Sequence, residues 1–268
     1  MELFKLSGRV AVVVGGSGVL GSAIAEALGA AGAKVAVIGR RDPGAAADRL
    51  AKAGITAKGY VADAMVRPAL EAVRDAIARD LGPVAILVNA VGGNRPEATT
   101  GPDKSFFDLP LEGLEQVVGL NLFAGAILPC QVFCREMAKT GGSVINVASM
   151  AGLRPLTRIA GYAAAKAAVA NFTQWFAVHA AKEFTPNLRV NAIAPGFFLT
   201  EQNQFLLKKP NGGWTERGES ILAHTPQGRF GVPADLAGAA VWLASDASAF
   251  VTGTVIPVDG GFSAYAGV

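Results

Sequence analysis

The chain has 268 residues, of which 51% are hydrophobic and 17% are charged, so it can bury the core of one large domain. Its net charge of +3 comes without a cluster of basic and aromatic residues, and we expect no nucleic-acid partner. No apolar run reaches the roughly 18 residues of a membrane helix, and the N-terminus is not typical of a signal peptide. We therefore expect a cytoplasmic protein without a membrane partner.

The first predicted element is a strand over residues 9–14, followed by a glycine-rich turn and a helix that extends to about Ala31. A strand, a glycine-rich turn and a helix N-terminus together form an anion site, because backbone N–H groups and the helix dipole converge there. A glycine-rich surface turn is the alternative, but the flanking elements favour a dinucleotide pyrophosphate. The predicted cofactor contacts in this turn are Gly15, Ser17, Val19, Leu20 and Gly21.

The second predicted strand, residues 34–38, ends in Gly39, Arg40, Arg41 and Asp42. An acid at this strand end binds the adenosine ribose hydroxyls of NAD, whereas arginine suits the 2′-phosphate of NADP. Glycine stands where the acid is expected and two arginines follow, so the sequence favours NADP(H) at Arg40 and Arg41. NAD(H) stays possible through Asp42, and the arginines also fit a solvated helix entry.

The rest of the chain alternates between helices and strands without a linker, which predicts a single-domain α/β Rossmann fold with a doubly wound parallel sheet of about seven strands. Two segments interrupt this alternation: residues 92–113, a predicted substrate loop, and residues 197–231, a predicted flexible lid. The further helices are expected near 44–53, 66–81, 111–139, 162–183 and 233–245, and the further strands near 55–61, 84–88, 143–148, 188–194 and 254–258. Cys130 and Cys134 lie four residues apart in one predicted helix, where core filling is expected and a metal site is not.

Polar or small residues follow most of the predicted strands. In an open parallel sheet, the carboxyl ends of the strands form the ligand crevice, so these residues should surround one cleft. They are Gly15, Arg40, Asp63, Asn89, Ser149 and Pro195.

Tyr162 and Lys166 lie four residues apart in an alanine-rich helical pattern, with Ser149 upstream at a strand end. Positions i and i+4 share one helix face, so the ammonium should lie beside the phenol. A neighbouring cation favours phenolate and is expected to lower the tyrosine pKa from about 10 toward neutrality. Tyr162 would then exchange a proton with a carbonyl or alcohol that Ser149 orients.

With these residues the whole chain resembles the short-chain dehydrogenase/reductase family. The resemblance rests on the glycine turn, Asp63, Asn89-Ala-Val-Gly92, Asn121, Ser149, Tyr162 with Lys166, Pro195-Gly196 and Asp259-Gly-Gly261. It departs from the family at Val19, which replaces a glycine, and at Ala90, where asparagine is common. Several further segments, among them Gly92-Gly-Asn94, Asn171-Phe-Thr-Gln-Trp175 and Pro195-Gly-Phe-Phe198, are similar to the D-mannonate oxidoreductase (fructuronate reductase) group.

The resemblance implies a role for each matching residue. Tyr162 would be the general acid or base, Lys166 would lower its pKa and hold the nicotinamide ribose, and Asn121 would hold a water in the proton relay. The cofactor site would include Asp63 at the adenine, and Asn89, Ala90, Pro195, Gly196 and Thr200. The family also implies a homotetramer and hydride transfer between a nicotinamide and a carbonyl or alcohol, here a keto or hydroxy sugar acid of the D-fructuronate and D-mannonate type.

A sugar acid needs a cation for its carboxylate and polar partners for its hydroxyls. Arginine binds carboxylate in bidentate fashion, which makes Arg95, Arg154 and Arg158 the candidates. Each of them also fits a solvated loop residue. Asn94 and Gln202 are the further substrate-binding candidates, beside Ser149.

Two alternatives stay open at this point. One is a reductase of another carbonyl, such as a 3-oxoacyl thioester or a ketose, although an acyl substrate predicts a less polar lid than Gln202-Asn-Gln204. The other is a non-catalytic dinucleotide-binding module, which would be expected to lack a residue of the proton relay.

Overall fold

The fold is a seven-stranded parallel sheet with helices on both faces, as a computed structural model describes it for residues 2–200 and 204–267. The strand order is β3-β2-β1-β4-β5-β6-β7, so the chain winds outward from β1 in one direction and then from β4 in the other. The strands are β1 Val10–Val14, β2 Lys34–Gly39, β3 Ala57–Val61, β4 Val84–Asn89, β5 Gly142–Val147, β6 Leu188–Pro195 and β7 Val255–Val258. This confirms the predicted fold class and strand count.

Most of the helices agree with the predicted ones within a few residues. The predicted helix at 111–139 is divided into two, and two short helices lie in the predicted lid. They are α1 Val19–Ala30, α2 Gly44–Lys52, α3 Arg67–Asp80, α4 Leu111–Val118, α5 Leu128–Thr140, α6 Ala160–Glu183, α7 Gln204–Leu207, α8 Glu216–Ala223 and α9 Ala237–Ala244. The predicted helix at 233–245 begins with a 3₁₀ turn, Pro233–Leu236, because proline suits the first turn of a helix. The central strand β1 is buried at all five positions, as its run of valines and alanine predicts.

Two apolar cores cover the two faces of the sheet. On one face, α3, α5 and α6 contribute Leu70, Phe133 and Phe176, and the free cysteines Cys130 and Cys134 are buried there as expected. On the other face, α1 and α9 contribute residues such as Leu28 and Leu243. The sheet is therefore covered on both sides, which leaves the carboxyl edge of the strands as the place for a ligand.

Between α4 and α5 the chain forms a π-helical segment, Gly119–Ile127, that the sequence did not indicate. Its cause is Asn121, whose side-chain amide donates to the carbonyl of Val117, four residues earlier, at 2.8 Å. A side chain that takes this carbonyl competes with the i→i−4 backbone bond and loosens the helix locally. The whole stretch Leu111–Thr140 is long and apolar enough for a membrane helix, but 56% of its most apolar window is buried within the fold, which is typical of a core helix.

The predicted lid has a small apolar core of its own. Leu207, Ile221 and Phe230 are buried together, and the rings of Trp214 and Phe230 lie 4.9 Å apart. Thr215 caps the N-terminus of helix α8, because its hydroxyl accepts a hydrogen bond from the backbone N–H of Gly218 at 3.1 Å. The predicted contact Gln202 lies outside the described residues.

Candidate active site

The glycine turn after β1 is shaped for a phosphate. Gly21 is buried against the carbonyl of Gly15, and a Cβ at position 21 would overlap that oxygen. Gly15 has a φ of +84°, which L side chains rarely adopt. The N-cap of α1 is Gly18, which has no side chain to cap the first amides, so these N–H groups can serve an anionic ligand. Ser17 and Val19 are exposed at this turn, in keeping with their predicted role.

The end of β2 explains why glycine replaces an acid there. A Cβ at position 39 would lie 2.6 Å from the hydroxyl oxygen of Ser17 and 3.0 Å from the carbonyl oxygen of Arg41, so a larger residue requires these groups to shift. Arg40 and Arg41 follow and are exposed, and neither guanidinium forms an ion pair within the described residues. This edge of the turn is therefore positive, with no carboxylate held at the position where NAD enzymes place one.

The structure corrects the role expected of Asn89. Its side chain is fully buried, and its amide donates to Oδ1 of Asn146 at 2.8 Å and to Sγ of Cys130 at 3.4 Å. It faces the core because the alternation of β4 turns it away from the crevice. The adjacent Ala90 is at the crevice, since a Cβ on Gly15 would lie 2.8 Å from the carbonyl carbon of Ala90.

Asn121 is fixed beside the predicted substrate loop. Its side-chain Oδ1 accepts from the backbone N–H of Gly93 at 3.0 Å, and its Nδ2 donates to the carbonyl of Gly93 at 2.7 Å. A Cβ at position 92 would lie 2.7 Å from this Oδ1 and 3.0 Å from the Nζ of Lys166. The glycine at position 92 thus lets two of the predicted catalytic side chains approach the same point.

Lys166 is almost fully buried, and its ammonium donates to the carbonyl of Val147 at 2.7 Å. Burial lowers the pKa of Lys166 to about 8, because the charged form is poorly solvated. Its Nζ lies 5.9 Å from the centre of the Tyr162 ring, so the predicted pairing on one helix face is confirmed.

The expected lowering of the tyrosine pKa is wrong in this structure. Burial raises the pKa of Tyr162, and the hydrogen bond with Ser149 lowers it by less than burial raises it. The Lys166 ammonium bonds to the Val147 carbonyl and faces the ring, so desolvation dominates. At neutral pH, Tyr162 is therefore a phenol next to a serine hydroxyl, which suits it to donate a proton.

The remaining predicted cofactor residues lie at the strand ends, as expected. Pro195 is the last residue of β6, and the next residue, Gly196, is packed so closely on Asp259 that a Cβ there would lie 2.6 Å from the Asp259 side chain. Thr200 is half-buried in the segment that follows. Asp63 accepts a hydrogen bond from the N–H of Met65 at 2.9 Å, so its side chain also stabilises its own turn.

Comparison with known proteins agrees with this geometry. The family model described as enoyl-(acyl carrier protein) reductase matches residues 16–263. An uncharacterized oxidoreductase of Bacillus subtilis, UxuB, is 46% identical over 98% of both chains. A crystal structure from Haemophilus influenzae, provisionally named a D-mannonate oxidoreductase and containing NAD, has a TM-score of 0.92 and 40% identity over 98% of both chains. A 2-dehydro-3-deoxy-D-gluconate 5-dehydrogenase of Formosa agariphila is 33% identical over 100% of this chain and 97% of its own.

The chain belongs to the short-chain dehydrogenase/reductase family. As a member of this family it is an NAD(P)-dependent oxidoreductase that acts on a CH–OH group and its carbonyl. The glycine turn and the uncapped N-terminus of α1 fit a nicotinamide dinucleotide. The side chains of Asn121, Ser149, Tyr162 and Lys166, the residues predicted for the proton relay, lie together near the carboxyl ends of β4 and β5.

The three arginines predicted to bind the substrate have different surroundings in the structure of this dehydrogenase. The Nε of Arg154 donates to the carbonyl of Ser263 at 3.1 Å, so Arg154 stabilises the C-terminal segment rather than the cleft. Arg95 is exposed on the substrate loop, where the amide of Asn94 donates to Thr99 Oγ1 at 2.8 Å. Arg158 lines a cleft of about 520 Å³ next to the catalytic helix.

The same cleft contains a residue that sequence reasoning missed, Arg217 of α8. Nothing in the sequence marks it, because its position beside Arg158 depends on how the lid folds over the strand ends. Ser220 and His224 of the same helix also line the cleft, with Phe197 and Phe262 as its apolar walls.

Proposed function

We propose that this enzyme interconverts a keto sugar acid and the corresponding hydroxy acid, of the D-fructuronate and D-mannonate type, with NADP(H) favoured as the cofactor. The complete proton relay beside a cleft lined by arginine is the observation that carries this proposal. Similarity to proteins named for sugar acids supports the same substrate class.

The proposed proton donor for carbonyl reduction is the Tyr162 hydroxyl. Burial keeps it protonated at neutral pH, and the neighbouring Ser149 hydroxyl orients the substrate oxygen toward it. When bound, the reduced nicotinamide supplies the hydride for the carbonyl carbon. In the alcohol-oxidising direction, Tyr162 accepts the proton that it otherwise donates.

Lys166 and Asn121 act behind the tyrosine in this proposal. The ammonium of Lys166 is fixed by the Val147 carbonyl and would hold the nicotinamide ribose. Asn121 is fixed by both backbone groups of Gly93, and it would hold a relay water that returns protons to Tyr162. Pro195, Gly196 and Thr200 would flank the nicotinamide, and Asp63 the adenine.

The proposed preference for NADP(H) rests on the end of β2. Gly39 has no carboxylate at the position where NAD enzymes have one, and the exposed Arg40 and Arg41 suit a 2′-phosphate. The Haemophilus relative contains NAD, so NAD(H) stays the alternative cofactor and both must be assayed.

The direct test is oxidation of NADPH and NADH with a panel of carbonyls that contains D-fructuronate, other keto sugar acids, a neutral ketose and a 3-oxoacyl thioester. We expect turnover with a keto sugar acid, and a loss on the order of 10²- to 10⁴-fold in kcat for Tyr162→Phe with cofactor affinity unchanged. Preferred turnover of the thioester or the ketose would replace the proposed substrate. Equal inactivity of both proteins on every carbonyl would indicate a dinucleotide-binding module.

We further propose a cytoplasmic homotetramer in which α6 contributes to a subunit contact. Trp175 and Val178 are more than half exposed, and the ring of Trp175 stacks on that of His179 with 4.8 Å between the ring centres. An exposed surface of this kind is typical of a protein interface. Light scattering should give four copies at micromolar concentration, and a monomer there would overturn the proposal.

A further inference from the structure

The cleft lined by Arg158 and Arg217 is formed in part by segments that directly adjoin catalytic residues along the chain. The segment Pro155–Arg158 joins Ser149 to the helix of Tyr162, Phe197 follows Gly196 directly, and α8 closes the third side. All three walls belong to the β5 and β6 half of the sheet, whereas the phosphate turn lies after β1. A substrate whose carbonyl lies at Tyr162 would reach this cleft along the segment that precedes α6, away from the phosphate turn.

Arg158 is held in an uncommon backbone conformation. Its φ of +74° is the only positive φ of a non-glycine residue within 2–200 and 204–267. Its carbonyl accepts a hydrogen bond from the N–H of Thr100 at 3.0 Å, so the substrate loop fixes this conformation. Such residues persist where the surroundings hold them, and they cluster at ligand sites.

The two guanidiniums face one cleft without a carboxylate to pair with. Four other arginines, Arg9, Arg67, Arg74 and Arg229, form ion pairs, but neither Arg158 nor Arg217 does so within the part of the chain that is described. Glu216 also lines the cleft and lies within 4.0 Å of neither guanidinium. The pKa of Arg217 is lowered by burial first and by the charge of Arg158 second, so the two cations repel each other.

An anion between the two arginines would relieve this repulsion and accept hydrogen bonds from both planar guanidinium groups. The hydroxyl groups of Thr157 and Ser220 line the same space and suit the sugar hydroxyls. We propose that Arg158 and Arg217 together bind the carboxylate of the substrate and thereby select acids over neutral ketoses. This inference rests on the proposed function and names the residues that set its specificity.

The test measures steady-state reduction of D-fructuronate and of neutral D-fructose by wild type, Arg158→Gln, Arg217→Gln and Arg217→Lys. Loss of a hydrogen bond to a charged group predicts that each Gln variant raises KM for D-fructuronate about 10- to 100-fold. With D-fructose the same variants should stay within about twofold of wild type. Arg217→Lys should recover part of the loss, because lysine keeps the positive charge but lacks the bidentate geometry of the guanidinium group.

Binding provides a second readout that needs no turnover. In the Tyr162→Phe background with NADP⁺, calorimetric titration with D-mannonate should show the same weakening of about 10- to 100-fold for both Gln variants. D-Mannitol should show no difference between the proteins. Arg79→Gln, on the exposed surface of α3, removes an equal charge elsewhere and should bind D-mannonate as the parent does.

The outcomes distinguish this inference from the proposed function. If wild type reduces D-fructuronate while both Gln variants keep its KM and D-mannonate affinity, the arginine pair is not the carboxylate site and only the inference fails. If Arg95→Gln carries the whole loss instead, the carboxylate lies at the substrate loop and the inference is again overturned. If wild type neither reduces a keto sugar acid nor binds D-mannonate, the proposed function fails together with it.

Discussion

Two regions of the molecule are built differently: the catalytic side, with Lys166 and Asn121, and the proposed substrate side, with Arg158 and Arg217. On the catalytic side, Lys166 and Asn121 are buried, and backbone carbonyls hold both of them at 2.7–2.8 Å. On the substrate side, Arg158 is exposed and Arg217 half-buried, and neither has an ion-pair partner in the described chain. The buried side chains are thus fixed by the scaffold before a substrate binds, whereas the charges of the proposed substrate side are left for a ligand.

The largest loss of activity from a change beside the fixed catalytic side chains is expected at Gly92. A methyl group from Gly92→Ala would lie 2.7 Å from Oδ1 of Asn121 and 3.0 Å from Nζ of Lys166, so both catalytic side chains must move. A displacement of about 1 Å at such groups can cost on the order of 10²-fold in kcat/KM. Steady-state kinetics with the preferred carbonyl measures this loss.

The matched control for Gly92→Ala is Gly238→Ala. Gly238 is exposed in α9, and no atom lies within 4 Å of a Cβ built there. This control should keep wild-type kcat/KM and unfold at an equal or slightly higher temperature, because alanine favours a helix. If Gly92→Ala were as active as the control, the close approach at position 92 would not matter for catalysis.

The buried ammonium of Lys166 predicts how stability depends on pH. Its pKa falls from 10.5 in the unfolded chain to about 8 in the folded protein, so between these values the unfolded chain binds more protons. The free energy of unfolding should therefore rise with pH from about 8 to 10.5, by about 3 kcal/mol from this group, and show no such contribution below pH 8. Urea unfolding across this range, for wild type and Lys166→Met, measures the difference.

Lys166→Met should lose this rise, whereas Lys182→Met, which removes an exposed lysine from the same helix, should keep the wild-type curve. A curve for Lys166→Met that parallels wild type between pH 8 and 10.5 would show that the ammonium is solvated in the folded state. That result would also contradict the conclusion that the scaffold holds Lys166 in a buried position.

A smaller effect on kinetics is expected at the end of β2. There, as on the proposed substrate side, the arginines have no ion-pair partner among the described residues. Arg40→Asp should lower kcat/KM for NADPH about tenfold, because one contact between a charged donor and the 2′-phosphate is lost. The ratio of kcat/KM for NADPH over NADH should fall at least as far. An unchanged ratio would assign NAD(H) to this enzyme and leave Arg40 as a solvated residue.

Much of this fold could be predicted because its signals are local. The valine-rich run of β1, the glycine turn and the spacing of Tyr162 and Lys166 each lie within a few residues of sequence. The order of helices and strands then places their ends along one edge, since parallel strands align their carboxyl ends. These features predicted the fold class and the grouping of Ser149, Tyr162 and Lys166, whereas Asn121 was implied by the family resemblance.

The features that were missed depend on contacts between distant segments. Arg217 meets Arg158 only because α8 folds over the strand ends, and Asn89 turns inward to Asn146 and Cys130. The π-helical segment follows from the bond between Asn121 and Val117 and its further anchor at Gly93. The pKa of Tyr162 rises because desolvation exceeds the effect of nearby groups, and burial of this kind cannot be obtained from residue spacing.

A crystal structure with NADP⁺ and D-mannonate tests the central claim most directly. The account predicts the Tyr162 hydroxyl within hydrogen-bond distance of the alcohol oxygen that is oxidised, with the nicotinamide ring on the other side of that carbon. The carboxylate should lie between Arg158 and Arg217. A Tyr162 hydroxyl that contacts neither the acid nor the nicotinamide would contradict the account.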